Sequence, residues 1–476
     1  MASRRKFVAS GSAGCVVTPA LPNGEQEFPD QVTKLYFDRQ SQSSMNAAAY
    51  AVATNTKLAG MGFRRLVFPY TETRRFDQLP EELQTLPDNS CKLEYRKESD
   101  KPIGMTHMPN LGIDFIELRI AYDQSLNPES EHHAQGVALM KEIRAVPFEV
   151  VLEKGVRAML KSLEILNRNG KIHRDVRLEN TMFDPRTGAM TLIDFDLMTE
   201  KANMDKLNKW AIPPILMMAY PPEMALWNTT EHRKLDAPSD LKKIDDTINK
   251  LLNYKATFND YTDGEKNDII STFVPLIEIW KRQLLILTDL YKSQASRASL
   301  SYLFKLSHLP DKDITKFLLT EMGVYMGVLS EEEIFNTKDR RERMRDMSID
   351  TIDSYCMSLC LMMFLGVYLD DTKWTEHGAL LDQLFETILI PLYKINVYGA
   401  KDMIYTRSSI QDVMGAIGAL YSKEPMTKRM NRPTHNENLN NDNSRTPSSK
   451  KVRVVEGGTR KKLKSARRTK KGRRRA

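Results

Sequence analysis

The sequence predicts an α+β protein of two unequal lobes, a small β-rich one followed by a larger helical one that carries a long helical insertion. Three observations carry this. Short β-like runs broken by Gly and Pro fill the first 39 residues. From residue 147 apolar side chains recur at helical spacing. Beyond about 433 that periodicity stops, and NENLNNDNSRTPSSKK leads into a run of cations, the composition of a disordered tail. At 476 residues and 41% hydrophobic content, the chain can bury a large core.

Taken in order, KFVAS, GCVVTP and QVTKLYF read as twisted antiparallel strands. SSMNAAAYAVATNTKLAG (43–60) reads as a helix, with Ser at its start and Gly at its end. RRLVFPY (64–70) and PIGMTHM (102–108) are further strands. FEVVLEKGVRAMLKSLEILNRNG places Val150, Val151, Leu152, Val156, Leu160, Leu163 and Leu166 on a helical period and stops at Gly170. LKKIDDTINKLLNY and 268–291 continue the helical pattern. SYCMSLCLMMFLGVYL (354–369), closed by Asp370 and Asp371, is short for a membrane span and suits a buried core helix.

The start, MASRRKFVASGSAGC, lacks the apolar stretch of a secretory signal. Cys15, Cys91, Cys356 and Cys360 are too few and scattered for a disulfide framework and make no CxxC pair, which predicts a reducing compartment and no structural zinc. The net charge of +8 is uneven. Residues 450–476 hold 14 of the 70 Lys/Arg and one of the 62 Asp/Glu, which leaves 56 basic against 61 acidic residues elsewhere. The tail TRKKLKSARRTKKGRRRA has the charge density to bind nucleic acid or another polyanion. Without aromatic residues for base stacking, such binding would be sequence-blind and salt-sensitive. A nuclear localisation signal and a merely solvated tail are the other readings.

The chemistry concentrates in KIHRDVRLENTMFDPRTGAMTLIDFDL (171–197). Phosphoryl transfer asks for an aimed nucleophile, cations that neutralise phosphate charge, and little covalent chemistry. Asp175 can accept a hydroxyl proton, and the amide oxygen of Asn180 can hold a metal. Asp194 offers a second oxygen ligand at the end of a hairpin turned by PRTG.

This stretch resembles the eukaryotic-type protein kinases, most of all the divergent serine/threonine kinases of large nucleocytoplasmic DNA viruses. The resemblance runs over roughly 5–223 and 350–433, either side of an insertion at 224–349. It implies a kinase N-lobe and hinge over 1–115, a C-lobe over 116–433 and a tail over 434–476. It also implies ATP and Mg2+ as cofactors, a protein substrate and no membrane span. The implied setting is intracellular: host cytoplasm (viral factory or virion) or nucleus.

By that resemblance Gly11, Ser12, Ala13 and Gly14 would cover the phosphates and Val16 would roof the purine, with Ala9 in place of the first glycine. Lys34 would contact the α- and β-phosphates, and Arg177 the γ-phosphate. HMPNLGIDF (107–115) resembles the hinge, so Met108 would lie beside the adenine, with Met182 and Ile193 as its floor. Asn180 and Asp194 would bind metal. His173 and Arg174 belong to the catalytic loop, which Asp353 would cap from below. Glu223, in YPPE, would pair with Arg429 or Arg432. Arg174 would order the segment by binding a phosphate on Thr199.

Three departures bear on activity. The helix at 43–60 has no Asp or Glu to hold Lys34, so the lysine either stands unpaired and poorly placed for ATP or is held by Asp194. Asp196 stands where the family has glycine; it tolerates left-handed backbone, and its carboxylate would either join the metal shell, repel phosphate or do nothing. Arg177 replaces a lysine and Leu216 a threonine, so the Ser/Thr preference comes from the resemblance alone. An active kinase, a nucleotide-binding or scaffolding pseudokinase, and a kinase-fold enzyme acting on a small molecule or lipid all remain open. Oligomeric state leaves no signal in the sequence.

Overall fold

A computed structural model describes residues 6–10, 14–21, 30–36, 41–63, 66–67, 71–84, 102–201, 221, 262–311, 313, 337–394 and 407–422. It is a mixed α+β protein, with antiparallel sheet at the N-terminal end and mostly helices towards the C-terminal end. Residues 1–423 group into one unit and 424–476, outside the described residues, into a second.

Strands β1 (Lys6–Ser10), β2 (Gly14–Thr18), β3 (Gln31–Tyr36), β4 (Thr71–Arg74) and β5 (Ile103–Pro109) form one antiparallel sheet in the order β1-β2-β3-β5-β4. Register decides which side chains share a face. Cys15, Val17, Leu35, Ile103 and Met105 fall on one face and make a dry cluster with Phe76, Leu79 and Leu83. On the other face Val16 stands opposite Lys34, Lys34 opposite Thr106, and Met108 opposite Val32. That second face is the one on which the site is built.

Helix α1 (Ser41–Gly60) is alanine-rich and buries Ser44, Ala48, Thr54, Asn55 and Leu58. Of the strand expected over 64–70, Leu66 and Val67 are described and lie outside any strand, the others fall outside the described residues, and the next ladder forms at Thr71–Arg74. Among the expected strand residues, the backbone amides of Leu66 and Val67 donate to the Asn55 side chain, a local bond that competes with a sheet. Cys15 is disulfide-bonded, against the expectation of reduced thiols, because spacing along the chain says nothing about proximity across it. Cys356 and Cys360, one turn apart, are free and buried, as their apolar run suggests.

After the short α2 (Glu81–Gln84) and β5, the chain forms β6 (Ile113–Asp114), then α3 (Phe115–Leu126), capped by the Asp114 carboxylate at 2.8 Å from the Glu117 amide. Helix α4 (His133–Ala145) follows. The helix expected from 147 is present, although its middle, Val151–Arg157, is wound as a wide π-turn before Ala158–Arg168 (α5). Strands β7 (Lys171–Ile172), β8 (Thr181–Asp184), β9 (Ala189–Leu192) and β10 (Thr199–Glu200) complete the sheet structure among the described residues, with β6-β8-β9 in one small sheet and β10-β7 in another.

The remaining helices among the described residues are α6 (Asp263–Leu290), α7 (Ser301–His308), α8 (Thr337–Tyr368), α9 (Asp371–Leu384), α10 (Ile390–Tyr393) and α11 (Ile410–Ser422). The helix expected at 241–254 lies outside the described residues. Helix α8 is the axis of the core. Its stretch Asp350–Tyr368 is long and apolar enough to cross a membrane, yet nearly all of it is buried inside the protein. Phe364 packs on Phe115 and Phe183 with ring centroids 4.9 and 4.8 Å apart, joining α8 to α3 and to the β8-β9 hairpin. Its neighbours satisfy their polar ends: Trp280 donates to Tyr355 at 2.7 Å, and Tyr291 to the Met362 carbonyl at 2.6 Å. The loop between β7 and β8 is thereby held on a rigid floor.

Candidate active site

The sequence HRDVRLEN (173–180) ends in a 3₁₀ turn at Leu178–Asn180, and side chains fix the loop ahead of it. Asp353, on α8, accepts from the amides of His173 at 2.6 Å and Arg174 at 3.0 Å. Those bonds hold Arg174 in the left-handed region (φ 69), which costs a non-glycine residue about 1 kcal/mol. Burial raises the Asp353 carboxyl to about 6, against the pull of the two amides it accepts from.

His173 is fully buried. Its Nδ1 accepts from the Asp175 amide (3.2 Å), so Nε2 carries the proton and donates to the Ile193 carbonyl (3.0 Å). Burial depresses its pKa to about 4, so the ring is neutral at pH 7. It packs edge-on against Phe195, with 4.8 Å between centroids, and Phe63 closes the far side of Phe195 at 6.1 Å. The loop and the turn at 194–197 are therefore one packed unit.

Asp175 is 6% exposed. Its Oδ2 and its carbonyl both accept from Asn180 Nδ2 at 2.8 Å, while Oδ1 accepts no hydrogen bond and lies 3.3 Å from Arg177 Nε. Burial pushes the Asp175 carboxyl up; Arg177 and Asn180 pull it back, and the charges of Asp194 and Glu179 push it up again. The result is a carboxylate more basic than usual, with one oxygen ready to accept a proton. Asn180, also buried, spends its N–H groups on Asp175 and keeps Oδ1 as an acceptor.

Asp194 adopts φ 62 and ψ 69, and its Oδ1 meets Lys34 Nζ at 3.2 Å. The Ile193 amide donates to the Asn180 carbonyl (2.9 Å), which brings the two candidate ligands' backbones side by side. Asp194 thus takes the place on Lys34 that the acid-free helix leaves to it. The left-handed conformation falls at Asp194. Asp196 lies in the right-handed 3₁₀ turn Phe195–Leu197, so the backbone there makes no demand for glycine. The Asp196 side chain is outside what the structure describes.

Among the described residues, no group of three or more His, Cys, Asp or Glu is placed to hold a metal. The candidate donors are the Asn180 amide oxygen and the Asp194 carboxylate, on adjacent stretches of backbone. An oxygen-only pair fits Mg2+, which takes one or two protein carboxylates and completes its octahedron with water and phosphate oxygens.

Of the other predicted residues, Val16 and Met108 share the Lys34 face of the sheet, while Met182 of β8 and Ile193 after β9 are half-buried on the hairpin below. Gly14 has a packing reason of its own: a Cβ there would sit 2.1 Å from the Leu35 carbonyl oxygen. Thr199 of β10 pairs with Ile172 of β7, and Arg174 Nη1 reaches the Leu197 carbonyl at 3.5 Å. Gly11, Ser12, Ala13, Leu216, Glu223, Arg429 and Arg432 lie outside the described residues.

Sequence reasoning passes over Tyr50, Lys57, Lys171 and Glu200, which also border this unit. Tyr50 donates to the Met198 carbonyl at 2.9 Å, and Lys57 and Lys171 both contact Glu200. The sequence does hold a faint signal: opposite charges on the two short strands that bracket the catalytic stretch.

The site thus defines an oxygen-donor and cation cluster within a mixed α+β protein. No family model matches the sequence, and no curated protein matches it.

Proposed function

We propose that the protein is an ATP- and Mg2+-dependent protein kinase that transfers the γ-phosphate to Ser/Thr hydroxyls. The observation that carries this is the pairing of Lys34 with Asp194 and of Asn180 with Asp175, from three separate parts of the chain, beside a carboxylate oxygen of Asp175 that accepts no hydrogen bond. The five-stranded sheet, the α1 helix on its site face and the helical floor support reading the layout as the bilobal kinase fold, with 224–349 as its insertion.

In this reading Lys34 and Arg177 hold phosphate oxygens, and Asp175 aligns the acceptor hydroxyl and takes its proton through Oδ1. Asn180 and Asp194 would hold Mg2+, whose charge neutralises the phosphates when bound. Val16, Met108, Met182 and Ile193 would enclose the purine. The Ser/Thr preference follows the resemblance to the viral serine/threonine kinases.

ATP with Mg2+ should raise the thermal midpoint of the purified protein and deliver radiolabelled phosphate to a generic protein acceptor. Asp194→Asn should weaken both, since it removes the charge from Lys34's partner and from a metal ligand. A protein that shows neither the shift nor the transfer is not a kinase. The absence of an acid from α1 favours a second reading, a pseudokinase that binds nucleotide or scaffolds an assembly. It is distinguished by a thermal shift with no transfer.

The basic tail belongs to the same proposal as a polyanion contact. Deleting 450–476 should abolish retention of unrelated DNA sequences at 50 mM salt. Binding by the full chain should fall steeply towards 200 mM salt, as counterion release requires. Retention unchanged by the deletion would assign DNA binding elsewhere.

A further inference from the structure

Helix α1 carries no carboxylate, yet it is closely fitted to the site. It lies on the Lys34 face of the sheet, where a Cβ on Gly104 of β5 would come 2.7 Å from the Ser44 carbonyl oxygen. On its other side it meets the 3₁₀ turn that follows Asp194. Two polar contacts fix that meeting. Tyr50 donates to the Met198 carbonyl at 2.9 Å, and Lys57 Nζ lies 3.6 Å from Glu200 Oε1.

The spacings fit. Tyr50 and Lys57 are seven residues apart, two helical turns, so they project from one face of α1 about 10 Å apart. Met198 and Glu200 are two apart in extended chain, about 7 Å. One helix face can therefore grip two alternate positions of the segment.

Glu200 passes the grip onward. It pairs across β10-β7 with Lys171, whose ammonium contacts the same Oε1 that Lys57 approaches. Lys171 is only 4% exposed. Burial alone would disfavour its charge, but the Glu200 hydrogen bond and charge more than offset this and raise its pKa. Its hydrogen bond to Glu200 in turn lowers the Glu200 carboxyl. Both groups stay ionised, and β7 runs directly into His173. The amide of Lys201 closes the arrangement by donating to the Gly170 carbonyl at 2.8 Å.

We infer that Tyr50 and the Lys57–Glu200–Lys171 triad position the Asp194 turn against α1 and the catalytic loop, with the cation on the helix and the anion on the segment. These are positioning residues, acting through Asp194 rather than on substrate. The inference rests on the kinase reading for its effect on rate, though not for the physical coupling. The Lys57–Glu200 pair that the variants break is exposed on both sides, and such pairs add little to global stability. Loss of the grip should therefore show in placement of the turn rather than in melting.

The test uses the full-length chain with Lys57→Arg, Lys57→Gln, Lys57→Glu and Tyr50→Phe. Lys57→Arg keeps the charge and should transfer phosphate like wild type. Lys57→Gln and Tyr50→Phe should each lower kcat by roughly 3–10-fold and Lys57→Glu by more than about tenfold, within the ~10²-fold that an ångström of misplacement costs. The ATP KM and thermal midpoint should stay near wild type. A ranking that follows side-chain size instead of charge, or variants all equal to wild type, overturns the inference. Hydrogen exchange of the 194–201 amides provides a readout independent of activity, and should quicken in Lys57→Glu and Tyr50→Phe. If wild type transfers no phosphate, the kinase reading has failed, and unchanged exchange in these variants would sink the coupling as well.

Discussion

Asp175→Ala should lower phosphoryl transfer by roughly 10²–10⁴-fold, the usual worth of a positioned general base, while the thermal shift with ATP and Mg2+ persists. The split follows from where the side chain's bonds go. Asp175 Oδ2 is engaged by Asn180, and Oδ1 is the atom without a hydrogen bond. Truncation removes the proton acceptor, yet Asn180 keeps its bond to the Asp175 backbone carbonyl at 2.8 Å, so the metal-side amide stays oriented. Lys34 and Asp194 are untouched. Asp175→Asn should be nearly as inactive, because the amide keeps the shape and loses the basicity. Radiolabelled transfer under single-turnover conditions measures this directly. Equal signals from wild type and Asp175→Ala would remove Asp175 from the chemistry and the kinase proposal with it.

The second large effect lies beneath the loop. Asp353→Asn keeps the volume but can offer only one acceptor to the two amides of His173 and Arg174, a loss of roughly 1–3 kcal/mol for the stranded N–H. That deficit should depend on pH. Asp353 rises to about 6 in the folded protein from an ordinary value near 3.9. Its titration therefore contributes stability that is full below about pH 4 and lost as pH rises through 6. His173 works the other way. Its folded pKa of about 4 against an ordinary ~6.5 gives stability that is full above 6.5 and lost as pH falls through 4.

Over pH 4–6 the two contributions oppose each other in the wild type. The variant loses one of them, so its deficit should be greatest near pH 4 and shrink by up to ~3 kcal/mol towards pH 6.5. Denaturant midpoints at pH 4.5, 5.5 and 6.5 check this, and a deficit that grows with pH would contradict it.

Much of this site is legible in the sequence because its parts are close along the chain. Asp175 and Asn180 are five residues apart, and the hairpin that returns Asp194 to them is announced by the PRTG turn. Lys34 is legible only by resemblance, since a lysine on a strand is ordinarily solvated. Its partnership with Asp194 spans 160 residues, and the acid-free α1 leaves that pairing as one of two alternatives in the sequence. What was hidden depends on three-dimensional proximity alone. The Asn55 bonds to the amides of 66 and 67, the disulfide at Cys15 and the ion pairs of Glu200 have no periodicity to betray them. At Asp196 the backbone makes no demand for glycine for a local reason: the turn places its left-handed residue two positions earlier.

Arg174 and Asp194 are the only non-glycine residues with positive φ among those described, and both carry charges that the site engages. Glycine would sit more comfortably at either place but would forfeit the guanidinium or the carboxylate. A screen that rewards folding alone should therefore drift towards glycine at these two positions and collect stable, silent proteins. The strain records a trade between robustness and work, written into the backbone on either side of Asp175.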